Sequence, residues 1–122
     1  MRDPERLPEL VNQDSWLIHR GRYVATTFLL EVGGVAYLIR INEGRVESVR
    51  RGPFVMPRWA FALRASKDAW QRFCEPLPGP GYHDILAMVK FNTLTLEGDQ
   101  HPIMSNLLYF KDVLACLREK AQ

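Results

Sequence analysis

Residues 24–41 read VATTFLLEVGGVAYLIRI, and their reading decides what fold the chain can adopt. Val24, Thr26, Phe28, Leu30 and Val32 fall on one side of an extended chain, with Ala25, Thr27, Leu29 and Glu31 on the other. That period of two marks a strand. Gly33-Gly34 follows, a pair that closes a tight hairpin because glycine takes a positive φ without steric cost. Beyond it Val35, Tyr37, Ile39 and Ile41 alternate with Ala36, Leu38, Arg40 and Asn42.

Further along, Asn42-Glu43-Gly44 is a second turn and Arg45–Arg51 a third strand, more polar, whose arginines suit a sheet edge. Gly52-Pro53 and Pro57 bracket an irregular connection. Trp59 to Ala65 reads as a fourth strand, with Trp59, Phe61 and Leu63 set against small residues. Taken in chain order, the four strands form a meander. Then the period changes. Ser66 is a good N-cap and Asp68 an acid in the first turn of a helix carrying Ala69, Trp70 and Phe73, which ends near Glu75-Pro76. Leu77-Pro78-Gly79-Pro80-Gly81 is a loop. Tyr82 to Phe91 reads as a helix with apolar residues round most of its circumference, and Thr93 to Glu97 as a short fifth strand. Gly98-Asp99 turns the chain into a final helix from about Pro102 to Arg118, its last turn basic through Arg118 and Lys120.

On the N-terminal side, Leu7, Leu10 and Val11 share a helical face ahead of the His19-Arg20-Gly21-Arg22 break. The whole is an α+β pattern: a five-stranded, mostly antiparallel sheet with helices packed on one face. Trp16 and Trp59 read as core anchors.

The 122 residues make one domain, 1–122, and 47% hydrophobic with 25% charged is a globular mixture. A net charge of +2 and a pI near 8.7 lack the dense basic stripe of a nucleic-acid binder. Met1-Arg2-Asp3-Pro4-Glu5 has no signal-peptide core, and no apolar run is long enough for a membrane span. Cys74 and Cys116 have no metal-like spacing and suit buried thiols in a reducing compartment; a disulfide between them stays open at this stage. The expected location is the cytoplasm.

Catalytic constellations are thin. His19, His83 and His101 have no His-x-x-x-His or Cys-x-x-Cys neighbour, so no metal is expected. His83-Asp84 reads as a helix start rather than a dyad. Nothing places a base beside Cys74, and neither a Gly-x-Ser-x-Gly elbow nor a phosphate loop occurs. Arg40, Arg45, Arg50, Arg51 and Arg58 cluster along the second hairpin and its exit. They are either a solvated edge or an electrostatic contact for an anionic ligand head or a membrane surface.

The C-terminal helices carry the informative surplus. Ile103, Leu107, Phe110, Leu114 and Leu117 make one stripe of the last helix, and Met104, Leu108, Val113 and Cys116 widen it beyond an ordinary half-buried face. Such helices can fill a dry core, line a pocket for an apolar ligand with Met88 and Met104 adapting to it, or expose a patch that dimerises. Patterning leaves all three open.

A family resemblance enters in the second half. A strand ending in Ala65-Ser66 with Trp70 in the next helix, the stretch Leu86-Ala87-Met88, and Leu94-Thr95-Leu96-Glu97-Gly98-Asp99 leading into an apolar helix resemble the sterol carrier protein family. The resemblance covers roughly Trp59 to Leu117. The chain departs from the family's usual pattern at Asn92 (usually glycine) and Thr93 (usually lysine). It ends Glu-Lys-Ala-Gln where eukaryotic members carry a peroxisomal Ser-Lys-Leu.

What the resemblance implies is a bacterial-type, non-catalytic lipid-binding domain without a cofactor. Its apolar tunnel between sheet and helices would take a fatty acid, acyl-CoA, sterol or other lipid. Carried onto this sequence, the lining is Trp70 and Phe73, then Ile85, Leu86, Met88 and Val89. Ile103, Met104, Leu107 and Leu108 complete it, with Phe28 and Phe61 as floor. The partner is then a hydrophobic small molecule, with a transient membrane contact and a homodimer both left open. The alternative is a ligand-free interaction or dimerisation module of the same fold that supports a partner enzyme; a small enzyme acting on a lipid-like substrate is the weakest of the three.

Overall fold

The structure is a computed structural model, and it describes residues 1–75 and 77–118. Lys120 of the expected last turn, and Pro76, therefore lie outside the described residues. A 3-10 turn, Pro4–Arg6, leads into α1 (Leu7–Asn12) and α2 (Ser15–Arg20). The strands are β1 (Ala25–Val32), β2 (Val35–Asn42), β3 (Arg45–Arg51), β4 (Phe61–Ala65) and β5 (Leu94–Gly98). Helices α3 (Lys67–Phe73) and α4 (Ile85–Lys90) separate β4 from β5, and α5 (His101–Ser105) and α6 (Leu107–Ala115) follow it.

The first hairpin folds as its glycines dictate, with Val32 opposite Val35 and Gly33 at φ 61°. The second turns on Glu43 (φ 52°) and Gly44 (φ 80°). Two left-handed residues in succession suit the right-handed twist of the flanking strands. In β3 the register slips, with Arg40 opposite Ser48 but Ile41 opposite Val46, which leaves Glu47 as an extra residue. This bulge lets Val46 and Val49, three apart, both face the same side as Ile41 and Ile39.

The four-stranded meander expected from chain order is corrected. The sheet order is β3-β2-β1-β4-β5, and β4 lies parallel to β1, with Phe28 opposite Phe61 and Leu30 opposite Leu63. β3 ends at the level of Tyr37, whereas β4 begins at the level of Phe28. Residues 52–60 therefore travel back across the outer face of the sheet to reach the far side of β1. Ala60 N–H locks their end onto Thr27 C=O at 2.8 Å.

Inner-face side chains of β1, β2 and β4 (Phe28, Leu30, Tyr37, Ile39, Ile41, Phe61, Leu63) are buried beneath the helices. The edge strand β3 is held by α1 through Asn12. Its Nδ2 donates to Val46 C=O at 3.0 Å and its Oδ1 accepts from Val46 N–H at 2.9 Å. One amide side chain thus supplies both hydrogen bonds that a neighbouring strand would make there.

Three further expectations change. The N-terminal helix is two short helices, the second started by Asp14, whose carboxylate accepts from Trp16 and Leu17 N–H. The last helix breaks at Asn106 (φ −133°, ψ 38°), whose Nδ2 turns back onto Pro102 C=O at 3.1 Å. Trp16 is no core anchor: it is 79% exposed, and Trp59 is half-buried on the outer face beside the Arg64 guanidinium. Cys74 and Cys116 are both thiols rather than a disulfide. Among the described residues no helix is long and apolar enough to cross a membrane.

Candidate ligand-binding site

The helical layer is positioned by capping. The Ser66 hydroxyl accepts from Ala69 N–H at 3.1 Å and starts α3, and Asp84 Oδ1 accepts from Ala87 N–H at 2.9 Å and starts α4. Gly98 (φ 87°) makes the turn after β5, where a Cβ would approach Ala60 C=O to 2.6 Å. Asp99 then accepts from His101 N–H at 3.0 Å and leads the chain into α5. On α3, Trp70 Nε1 donates to Glu31 C=O of β1 at 2.8 Å, which fixes the indole in the layer. Phe73 meets it edge-on at 5.7 Å.

At the centre Phe28 and Phe61, opposite one another in the sheet, stack at 5.1 Å with an interplanar angle of 4°. Phe110 of α6 stands edge-on to both, at 5.8 and 5.4 Å. The three rings contact one another directly and seal the sheet floor against α6. Of the expected lining, Phe28, Phe61, Trp70, Phe73, Ile85, Met88 and Ile103 are buried, and Leu86, Val89 and Leu107 half-buried. Met104 is 44% and Leu108 67% exposed. The last two flank the break at Asn106, and half-buried Leu107 and buried Ile103 and Phe110 lie within a few residues of them on α5 and α6.

Two residues of this layer had no place in the expected site. Phe110 belonged to the apolar stripe of the last helix, and its spacing to Ile103 and Leu107 was the available signal. Tyr109 gave no signal at all. It is buried with its hydroxyl on Gly44 C=O at 2.7 Å, and burial pushes its phenol well above the usual tyrosine range.

Among the described residues the three histidines do not come together, and in this layer Asp84 clusters with His83 and Lys111. His19, His83 and His101 are all exposed; His83 Nε2 lies 3.7 Å from Asp84 Oδ2, and His101 lies against the Ser105 hydroxyl. Burial pushes the Asp84 carboxyl up, but Ala87 N–H and Lys111, 3.4 Å away, outweigh it and hold the group below its ordinary value. Burial, with Asp14 and Asp112 nearby, raises the Cys116 thiol, which disfavours a thiolate. Among the described residues no group of three or more His, Cys, Asp or Glu is placed to hold a metal ion.

The outer face carries a separate cleft of about 600 Å³ between the strands and the 52–60 crossing. Thr27, Leu38, Arg40, Ser48 and Arg50 form its floor, with Phe54, Val55, Met56 and Arg58 among its walls. Of the arginine cluster read from the sequence, Arg40, Arg50 and Arg58 meet here, while Arg45 and Arg51 do not line it.

This architecture is the sterol-carrier-like α+β fold. The chain aligns with a crystal structure of sterol carrier protein 2 at TM-score 0.75 and 15% identity, over 94% of this chain and 92% of the other. It also aligns with a conserved hypothetical protein, possibly sterol carrier protein, from Thermus thermophilus, at TM-score 0.69 and 13% identity, over 97% and 87%. A third likeness, at TM-score 0.61 and 13% identity, is to the stereoselective inverting sec-alkylsulfatase Pisa1 from Pseudomonas sp. That one spans 98% of this chain but 17% of the enzyme. No family model matches the sequence. No curated protein matches it either.

Proposed function

We propose that the protein binds a hydrophobic ligand, a fatty acyl chain or another lipid, between the sheet and helices α3–α6, and carries or presents it without covalent chemistry. The observation that carries this reading is that α5 and α6 hold exposed Met104 and Leu108 and half-buried Leu107 within a few residues of buried Ile103 and Phe110. Apolar surface removed from water contributes about 25 cal/mol per Å², so a lipid chain needs no directed polar contact to bind along such a surface. Met88 and Met104, unbranched and polarisable, adapt to a chain of variable shape. The fold's likeness to proteins named as sterol carriers supports the same ligand class. The scattered, exposed histidines support a role without catalysis.

The test is native mass spectrometry of the purified protein, then organic extraction and lipid analysis. A co-purifying lipid that disappears when Met104 and Leu107 are both replaced by tryptophan supports the carrier. A ligand-free dimer that ignores added lipids overturns it.

That second outcome corresponds to the alternative, an interaction module, and one observation favours it. Phe28, Phe61 and Phe110 already fill the centre of the layer, which leaves Met104 and Leu108 as a patch for a second protein surface.

A further inference from the structure

We propose that the outer-face cleft docks the protein onto an anionic phospholipid membrane. In this arrangement Arg40, Arg50 and Arg58 sit on headgroup phosphates, and Val55 and Met56 enter the boundary between headgroups and acyl chains. The proposal is independent of the apolar-ligand reading, because the sheet itself separates this cleft from the helical layer.

The floor is contiguous by strand register. Thr27 stands opposite Arg40, Arg40 opposite Ser48, and Leu38 opposite Arg50. Two guanidiniums and two hydroxyls thus share one face of three adjacent strands, and Arg58 closes from the crossing segment. The described lining holds three cations and no carboxylate. Arg40 is partly occupied, its Nε 3.2 Å from Glu47. Arg50 has only the Phe54 ring beneath it, at 5.9 Å, and neither Arg50 nor Arg58 has an acidic partner among the described residues. Guanidinium forks match phosphate oxygens in pairs, and hydroxyls supply further donors.

The wall explains why the phosphate belongs to a membrane. Val55 is 94% and Met56 89% exposed, side by side at the crest of the crossing, with arginines on either flank in sequence. Met56 holds φ at 49°, a left-handed value uncommon for a residue with its side chain. Two apolar side chains held into water beside unpaired cations match an anionic bilayer surface, which offers negative phosphates above a hydrocarbon boundary. A small soluble anion would use the arginines and leave Val55 and Met56 in water. Docked by this face, the protein keeps α3–α6 turned toward the aqueous side.

The test is flotation with phosphatidylcholine vesicles made with and without phosphatidylglycerol. The full chain is expected to float with the anionic vesicles alone, and less as salt is raised. Arg50→Glu with Arg58→Glu is expected to weaken this binding by roughly tenfold or more. Val55→Asp with Met56→Asp, the second at a positive φ that aspartate tolerates, is expected to weaken it without lowering the thermal midpoint. Equal binding to both vesicle types, or full binding by either variant, overturns the proposal. Competition by glycerol phosphate at concentrations that leave vesicle charge unscreened also overturns it, in favour of a soluble phosphate site. Fatty acid binding measured on the same variants separates the two readings, since these substitutions lie outside the helical layer.

Discussion

The Tyr109 hydroxyl donates to the Gly44 carbonyl at 2.7 Å, joining α6 to the β2–β3 turn across 65 residues of chain. The ring packs against Gly21, where a Cβ would sit inside its van der Waals surface, and a Cβ on Gly44 would meet Ile18 C=O at 2.5 Å. Two side-chain-free positions and one phenol therefore fix how the helical layer meets the hairpin. Replacing Tyr109 by phenylalanine keeps the ring and removes the donor from a buried carbonyl, at a cost of about 1–3 kcal/mol. Urea unfolding is expected to show a lower midpoint with an unchanged slope.

The same phenol sets an alkaline limit. Its folded value is raised above 10.0, chiefly by burial, so folding favours the protonated form. That contribution is complete below pH 10 and declines as pH rises beyond the unfolded value. The stability gap between the native protein and Tyr109→Phe should accordingly narrow above pH 10, which denaturant titrations on either side of that pH will measure.

Gly21→Ala is expected to destabilise by about 1–3 kcal/mol, because the new methyl overlaps a buried ring. In a Tyr109→Leu background that cost should fall, and a double-mutant cycle reads the coupling directly. Equal costs in both backgrounds would mean that the Gly21 backbone, not the ring, sets the penalty.

The strands, turns and Ser66 cap were legible because each is a local event. Alternation in β1 and β2, the Gly33-Gly34 and Glu43-Gly44 turns, and the Ser66 cap all act within a few residues. The helix expected from Tyr82, by contrast, starts only at Ile85, with Asp84 as its cap rather than in its first turn. The position of β4 was not local. Its signal was present, since Phe61, Ala62 and Leu63 are consecutive apolar residues buried on both faces, as befits a central strand. A meander would have put β4 at an edge. The helical layer was legible as apolar, yet one dimension could not separate Ile103, buried, from Met104, exposed, because the Asn106 break resets the helical phase. The outer cleft was legible only as an arginine cluster, since joining Arg58 to Arg40 and Arg50 requires the crossing segment to fold back over the sheet.

Asp84 combines a cap with a partly buried ion pair to Lys111. Asp84→Ala is expected to cost about 1 kcal/mol or somewhat more at neutral pH, and Asp84→Asn less, since asparagine still caps. The folded carboxyl lies below 3.8, so its contribution is present above the unfolded value and is lost as pH falls through the folded one. The difference between native and Asp84→Asn proteins should therefore close in acid, at or below pH 3.8. A gap that persists there would assign the effect to the cap geometry alone.

Phe110 offers the sharpest discrimination between a carrier and a filled interaction module. Removing its ring with Phe110→Ala takes away the lid over Phe28 and Phe61, at a cost of about 3–5 kcal/mol in the ligand-free protein. A ligand that binds the folded state alone stabilises by about 2.7 kcal/mol at a hundredfold excess over its dissociation constant. If an acyl chain enters this layer, it partly refills the space left by the ring. Added oleate is then expected to raise the thermal midpoint of Phe110→Ala by more than it raises that of the native protein. A filled module gives no rise in the native protein. In Phe110→Ala it gives at most the small, chain-length-independent rise of an adventitious guest in an engineered void, so a rise that grows with acyl length decides for the carrier.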